Sequence, residues 1–395
     1  MPGSEWEVSV LDVLIVGGGM VGASVALKLS RAGLQVGLIE KQPVVAFDPD
    51  SAVDLRVSAI NRRSEQWLTD LAAWPLLQQW RLCPYRRLQA FEAEQPGLTF
   101  HADEVALTHL GHIVENNLIQ QALWANFPAK LQQFCPATVT GFSQQPDFAA
   151  VRTAEFGELK AKLVIAADGG QSQLRQLAQI GVSGWQYQQS CLVVTVNTQY
   201  EQQDITWQQF NESGPRAFLP LPGKQGSLVW YDHHHKVKQL AALSKAALAE
   251  QIQQAFPAKL GKITVEQVAA FPLARVHAKD YVKGRLVLVG DAAHSINPLA
   301  GQGVNLGFAD AMLLCELLEQ AFAQGRDLAD TTLLRQYHTT RQRENALMMS
   351  AMDVFYQSFS SQFPPVRLLR RLGLALAEKS GPIKHWVSRY AVGIN

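Results

Sequence analysis

The sequence predicts an α/β protein: a Rossmann-type sheet, a β-rich insert within it, and helices towards the C-terminal end. Three observations carry that prediction. A strand, a Gly-rich turn, a helix and a second strand open the chain. A buried strand followed by Gly290-Asp291 and another helix stands near its other end. Between them lie short β-like segments separated by turn residues.

The elements follow in order. Leu11–Val16 is an apolar run broken only by Asp12, with Gly17 to Gly19 after it. Val21–Ala32 carries Val21, Val25, Leu29 and Ala32 on one helical face. Gly33 stands where a helix end favours a left-handed residue, and Leu34–Ile39 reads as a second buried strand. This is a βαβ beginning. Leu163–Ala167 is another apolar strand entering a tight turn at Asp168-Gly169. Cys191–Val196, Arg216–Leu221 and Ser227–Trp230 read as strands of a separate β-rich region. Leu286–Val289 is buried strand again, and Leu313, Leu314, Leu317 and Leu318 then recur at helical spacing. There is no internal repeat and no low-complexity stretch. The tail, Pro365 to Asn395, sets Arg367, Arg370, Arg371, Lys379, Lys384 and Arg389 against one acid, Glu378, among interleaved apolar residues. It reads either as packed C-terminal helices or as a basic amphipathic surface for anionic lipid.

Composition bounds the function. Across 395 residues, 47% are hydrophobic and 17% charged, which suits a large folded core rather than a disordered chain. A formal net charge of +1 gives no general attraction to nucleic acid. Cys83, Cys135, Cys191 and Cys315 are far apart, which argues against a zinc ribbon or a dithiol centre and for buried thiols in a reducing compartment. No metal site is expected. The first residues lack a secretory pattern, and no apolar run reaches the roughly 18–20 residues of a membrane helix. A cytoplasmic protein is expected.

The chemistry begins at Gly17-x-Gly19-x-x-Gly22. Gly17 permits a tight turn out of the strand, Gly19 a close approach to a pyrophosphate, and Gly22 close packing of helix on strand. The phosphates then meet free N–H groups at the positive end of the helix. Glu40 ends the second strand, 21 residues after Gly19, where a carboxylate accepts from ribose hydroxyls. An acid there suits a free 2′-hydroxyl and so FAD or NAD over NADP; the fingerprint leaves those two open.

The run from Gly290-Asp291 through His294, Pro298, Gly301, Gly303, Val304 and Asn305 resembles the second FAD motif of the flavin aromatic hydroxylases. Asp168-Gly169-x-x-Ser172-x-Leu174-Arg175 is similar to their central motif, and Asp54-x-Arg56-x-Ser58-Ala59-Ile60 to a segment whose arginine lies near the flavin. The resemblance covers nearly the whole chain and is closest to the branch acting on prenylated rings in ubiquinone biosynthesis. It departs at Asn116, where many relatives carry an arginine. It implies an α/β fold with a Rossmann-like, three-layer ββα FAD-binding domain, an inserted β-sheet substrate domain and C-terminal helices. The implied division gives the FAD-binding domain residues 1–80, 111–182 and 277–340. Residues 81–110 and 183–276 go to the substrate domain and 341–395 to a helical, membrane-contacting region.

Roles follow from the same resemblance. Gly17, Gly19, Gly22, Glu40, Arg56, Asp168, Asp291, Gly301, Gly303, Val304 and Asn305 bind cofactor. Asp291 bonds the ribityl chain, and the Gly301–Asn305 turn places backbone N–H groups near the phosphate or the flavin N1–O2 edge. Pro298 lies near the ring face where oxygen adds, and Arg56 touches the flavin or its phosphates; these two form the catalytic pair. The implied reaction is ring hydroxylation of a prenylated quinol through a C4a-hydroperoxyflavin. FAD is bound non-covalently, O₂ is co-substrate, and NAD(P)H or a reductase partner is the electron donor. A biosynthetic complex, peripheral contact with the inner membrane and homo-oligomerisation are further expectations.

Plainer readings stand beside these. Arg56 and Arg175 also fit ordinary surface ion pairs. His233, His234 and His235 read as an exposed loop, and His294 as a structural hydrogen bond rather than an acid–base catalyst. Asn211-Glu212-Ser213 matches a glycosylation pattern that a cytosolic chain leaves unused. Rival functions are a flavin or disulfide reductase, which lacks its second fingerprint and its C-x-x-C here, a flavin oxidase of small molecules, and a non-catalytic FAD scaffold.

Overall fold

The computed structural model describes residues 10–92, 97–295 and 303–360. Leu11–Val16 lies inside an eight-stranded sheet, with all six residues buried. Each large apolar side chain it buries contributes about 1.5–3 kcal/mol. The buried Asp12 is not left alone: it accepts from the Gln35 N–H at 2.9 Å and pairs with Lys162 Nζ at 2.8 Å. The strand pairs in parallel with Val36–Ile39 on one side and with Gly157–Ala166 on the other. A parallel pair needs a crossover, and the helix Met20–Arg31 supplies it. Gly33 has φ +105° just beyond that helix, in the left-handed region that a C′ glycine occupies at no steric cost.

Across the sheet the order is Val282–Lys283, Leu286–Leu288, Gly157–Ala166, Leu11–Val16, Val36–Ile39 and Gln132–Phe134. Ala149–Thr153 and Val139–Gln144 add an antiparallel extension beside Gly157–Ala166. Five neighbours in that order, from Leu286–Leu288 to Gln132–Phe134, run parallel, and the four up to Val36–Ile39 lead into the turns at Gly17, Glu40, Asp168 and Asp291. Their carboxyl ends therefore share one edge, where open α/β sheets bind ligands.

A second eight-stranded sheet is organised around two long antiparallel strands, Val182–Thr198 and Ile263–Ala278. Gln225–His233, Arg216–Pro220, Ile205–Phe210, Arg87–Glu92 and Leu98–His101 continue it on one side, and His294–Ser295 on the other. The helices His234–Ala241 and Lys245–Ala255 cover one face, burying Val237, Leu240, Leu248 and Ile252 against Leu192, Val194 and Leu228. A small sheet of Val57–Asn61, Gly111–Glu115 and Cys83–Tyr85 is hydrogen-bonded to neither, but packs Ala59, Cys83, Tyr85 and Ile113 against Leu98, Phe100 and Leu219 of the second sheet.

Gly303–Ala323 and Thr331–Ser360 are the last helices described. The first packs on Met20–Arg31, and a Cβ on Gly307 would stand 2.6 Å from Val21 Cγ2. The second sends Tyr337 inward, where its hydroxyl donates to the Leu288 carbonyl at 2.8 Å. No helix among the described residues is long and apolar enough to cross a membrane. The tail from Pro365 lies outside the described residues.

Several elements differ from expectation. Strand bounds shift by a few residues, as at Gly157–Ala166 against Leu163–Ala167. The helices Arg62–Asp70, Trp74–Trp80 and Asn116–Trp124, of 9, 7 and 9 residues, are not among the expected elements. The three adjacent histidines are exposed but not a loop: His233 ends a strand, and His234 and His235 open a helix.

A prediction tests the close packing of strand and helix. A Cβ on Gly22 would stand 1.9 Å from the Gly17 carbonyl oxygen and 2.9 Å from Ala167 Cβ. Gly22→Ala should lower stability by about 1–3 kcal/mol in urea unfolding; a loss under about 0.5 kcal/mol would show that helix and strand are not held this tightly.

Candidate functional site

The site assembles where four of the parallel strands end. Gly17 follows Val16 with φ +101°, and a Cβ there would stand 2.3 Å from the Ala167 carbonyl oxygen. Only glycine gives this turn. Gly19 differs: nothing lies within 4 Å of its would-be Cβ, so the chain leaves open space beside the turn. Glu40 follows the next strand. Its carboxylate accepts from the N–H groups of Gly18 at 2.5 Å, Lys41 at 2.7 Å and Gln42 at 3.0 Å. The acid and the Gly-rich turn are thus already joined. Gln120 and Trp124 secure the turn from behind, each donating to the Gly18 carbonyl at 2.8 Å.

Asp168 follows the third strand. One carboxylate oxygen accepts from the Leu174 N–H at 3.1 Å, while the other is buried without a hydrogen-bond partner. Arg175 in the same motif is buried rather than part of a surface ion pair. Its guanidinium donates to the Ala292 carbonyl at 2.8 Å and the Gly170 carbonyl at 2.9 Å. Burial lowers its pKa and the charge of Asp168 opposes that shift. The arginine therefore ties the turn after the third strand to the turn after the fourth.

That fourth turn carries Asp291, behind Gly290 at φ +58°. Asp291 is exposed on the cleft, between the buried Gly290 and Ala292. Desolvation by the surrounding protein raises its pKa above the ordinary aspartate value, with the charges of His294 and Arg56 pulling the other way. His294 points away from the cleft and pairs with Asp310 at 2.6 Å in the interior. A structural hydrogen bond is what it makes.

Arg56 is exposed at the cleft, its guanidinium 6.0 Å from the centre of the Phe271 ring. Its loop is fixed from below: Glu115 accepts from the Asp54 N–H at 2.7 Å and pairs with Arg81 at 2.6 Å. Asn116 also lines the cleft and accepts from the Ser58 hydroxyl at 2.7 Å. Gly303 and Val304 open a helix on the same cleft. Asn305 turns its side chain elsewhere, donating to the Ala59 carbonyl at 2.8 Å and accepting from the Asn61 N–H at 3.1 Å. Pro298 and Gly301 lie outside the described residues.

The cleft holds about 530 Å³, within the usual range of ligand sites. One side is the polar edge just described. The other is a face of the second sheet, with Val193, Leu219, Ser227, Val229 and Tyr231. Strand register explains that face. Cys191, Val193 and Thr195 pair across from Tyr231, Val229 and Ser227, so alternate residues of both strands point the same way. Cys191 is buried there and its thiol pKa is pushed up to about 12 by desolvation, so it is no ready thiolate nucleophile.

A flavin dinucleotide fits these features. Open space beside Gly19 and Gly303 admits a bulky group against backbone. Asp168 offers an unused buried oxygen. A polar edge faces an apolar wall, as a phosphate-bearing cofactor with an aromatic head requires.

Elsewhere, Glu65, His109 and His112 bring three metal-ligating atoms within 4.8 Å of one another. The Arg62 guanidinium also reaches Glu65 and the His109 ring nitrogen, placing a cation on the same atoms. Burial would raise the Glu65 pKa, but its bonds to His109 and His112 outweigh that and hold it well below the carboxylate range. Ion pairing accounts for the group.

Sequence reasoning missed Asp310, Arg341 and Asn345 behind the Asp291 turn, all buried. The available signal was one acid, Asp310, in an otherwise apolar helical stretch.

The raised pKa of Asp291 gives a pH prediction. A carboxyl whose folded pKa exceeds its unfolded value, near 3.8, costs stability once it ionises. The cost is absent below the unfolded pKa and grows as pH rises through the folded one. Asp291→Asn apoprotein should therefore melt higher than wild type at pH 7, with the gap closing below about pH 4. A variant melting lower at pH 7 would contradict the desolvation.

Comparisons with known proteins agree with this geometry. A family model described as FAD binding domain matches residues 132–351, and one described as FAD dependent oxidoreductase matches 12–52. The chain is 43% identical to 3-demethoxyubiquinol 3-hydroxylase of Escherichia coli K12, over 97% of this chain and 98% of that protein. It is 32% identical to the mitochondrial ubiquinone biosynthesis monooxygenase COQ6 of Xenopus tropicalis, over 97% and 93%. Among solved structures, p-nitrophenol 4-monooxygenase PnpA of Pseudomonas putida DLL-E4 matches with TM-score 0.80 at 18% identity, over 98% and 99%. PqsL of Pseudomonas aeruginosa, a probable FAD-dependent monooxygenase, matches with TM-score 0.77 at 20% identity, over 91% and 99%. The fold and the full-length identity agree: this chain belongs to the FAD-dependent hydroxylase family that includes the ubiquinone-biosynthesis monooxygenases.

Proposed function

We propose that this enzyme hydroxylates the ring of a prenylated benzoquinol in ubiquinone biosynthesis, with O₂ as co-substrate and NAD(P)H or a reductase partner as electron donor. The observation that carries the reading is one cleft bounded by the nucleotide edge of the first sheet and an apolar face of the second. The likeness to 3-demethoxyubiquinol 3-hydroxylase supports the substrate class.

Bound FAD supplies oxygen activation; the chain supplies position and environment. The Gly17–Gly22 turn and the start of its helix offer N–H groups to the pyrophosphate. Glu40 would accept from the ribose, and the Asp168 and Asp291 carboxylates from other cofactor hydroxyls. The helix opening at Gly303 and Val304 on the cleft would offer backbone N–H groups and the positive helix end to a flavin held there, where they would stabilise negative charge on it. Arg56 adds a cation at the cleft. Pro298 and Gly301 keep their assigned roles beside the ring on resemblance alone.

Val193, Leu219 and Val229 keep water from the reacting ring. Ser227 stands on the same wall, and its buried hydroxyl has no hydrogen-bond partner within the protein. A quinol oxygen would satisfy it. An electron-rich quinol needs no further activation, so a wall of apolar and hydroxyl side chains suffices.

The division of labour follows: residues 1–80, 111–182 and 277–340 hold the cofactor, while 81–110 and 183–276 shape the substrate side. Within the segment 341–395, Arg341 and Asn345 are buried in the core, and it is the exposed remainder that meets the membrane, where a polyprenyl substrate resides. Leu347 and Val354, each 66% exposed on the last helix, support a surface of that kind. Attachment to a biosynthetic complex and self-association belong to the same proposal.

Two measurements test it. With ¹⁸O₂ and reductant, the protein should place one labelled oxygen on a demethoxyubiquinol ring; stoichiometric hydrogen peroxide with unlabelled quinol would favour an oxidase. Removing residues 365–395 should lower the fraction bound to anionic vesicles while FAD stays bound, and unchanged vesicle binding would remove the tail from the account.

A further inference from the structure

Behind the cleft, four donors converge on one fully buried carboxylate, Asp310. One of its oxygens accepts from the Gly290 N–H at 3.0 Å and from His294 Nε2 at 2.6 Å. The other accepts from Arg341 Nε at 2.6 Å and Asn345 Nδ2 at 3.0 Å. Gly290 and His294 bracket Asp291 in the sequence. The carboxylate therefore grips both ends of the turn that presents Asp291 to the cleft. That turn needs an external grip, because it begins on a glycine with φ +58° and carries no side-chain cap. Arg175 holds its far side through the Ala292 carbonyl.

The carboxylate has a second connection to the site. Asp310 sits on the helix that opens at Gly303, seven residues on, or about two turns. One rigid element thus sets the spacing between the helix-opening amides and Asp291. Burial alone would raise the pKa of Asp310, but the charges and hydrogen bonds of His294 and Arg341 outweigh it and keep the group ionised. Arg341 is itself locked by Asn345 at 2.8 Å, and Asn345 reaches the Tyr281 hydroxyl at 3.2 Å.

We propose that Asp310 is a positioning residue for the flavin: held by Arg341 and Asn345, it fixes the Gly290–His294 turn so that Asp291 meets the cofactor. The inference rests on the reading that Asp291 contacts FAD. It adds that this contact is set from a residue that never touches the cofactor.

A double-mutant cycle on FAD binding by the apoprotein, followed by flavin fluorescence, separates the two claims. Asp310→Asn should raise the FAD Kd by about tenfold or more in the wild-type chain, and by less than about twofold when Asp291 is already alanine. The visible circular dichroism of bound flavin should change with Asp310→Asn alone, which a simple loss of fold stability would not cause. Equal factors in both backgrounds, or an unchanged Kd in the wild-type chain, would overturn the proposal while leaving Asp291 in place. An unchanged Kd for Asp291→Ala by itself would instead remove the underlying contact. Should Asp310→Asn fail to fold, His294→Gln takes its place in the cycle. It disrupts one donor to the same carboxylate, and the same non-additivity is expected.

Discussion

Parallel strands deliver their carboxyl ends to one edge of a sheet, and in this chain four neighbouring strands end together there. Gly17, Glu40, Asp168 and Asp291 each stand one or two turn residues beyond such an end, or three at Asp291. They are spread over more than 270 residues of sequence, yet the sheet brings them to one edge, where Asp291 lines the cleft. No loop has to search for its place. Two of the carboxylates are in turn fixed by backbone donors, Glu40 by the amides of Gly18, Lys41 and Gln42 and Asp168 by that of Leu174.

Holding polar groups at such an edge has a cost in the interior behind it. Asp310 and Arg341 are both almost fully removed from solvent. Two buried ions lose several kcal/mol each in hydration, and their attraction offsets this only when the remaining donors and acceptors are satisfied. Here both carboxylate oxygens are doubly bonded by donors. Removing one partner from a buried pair typically costs about 3–5 kcal/mol, so the network is a stringent constraint on geometry. An apolar pair of the same volume would pack as well, but it could not grip the Gly290 amide and His294. That difference explains why charge is retained in a place where hydrophobic packing is cheaper.

The turns were legible in sequence because their chemistry is local. A glycine after a buried strand, or an acid ending one, has a steric or hydrogen-bonding reason that needs no knowledge of distant residues. Gly17, Gly19, Gly22 and Glu40 belong to that class, whereas the roles expected of Asp168 and Asp291 came from the family resemblance. The wall formed by Val193, Ser227, Val229 and Tyr231 was less legible. Alternation shows that these side chains share a face, but not which element lies opposite. Arg175 fitted a surface ion pair equally well until its partners proved to be the Gly170 and Ala292 carbonyls, the second from a turn 117 positions along. The Asp310 network was hidden for the same reason, since Arg341 and Asn345 lie on another helix. Asn305 shows the converse: its motif is recognisable, but its side chain serves the strand Val57–Asn61 rather than facing the cleft.

The central claim is that two helix openings and one face of the second sheet enclose a single flavin. A crystal structure of the FAD-loaded protein tests it most directly. The account predicts pyrophosphate oxygens against the Gly17–Gly22 turn, the ribityl chain against Asp291, and the isoalloxazine between the Gly303 helix opening and the wall of Val193 and Val229. Density for the flavin ring outside that cleft, or a cofactor bound without contact to Asp291, would contradict it.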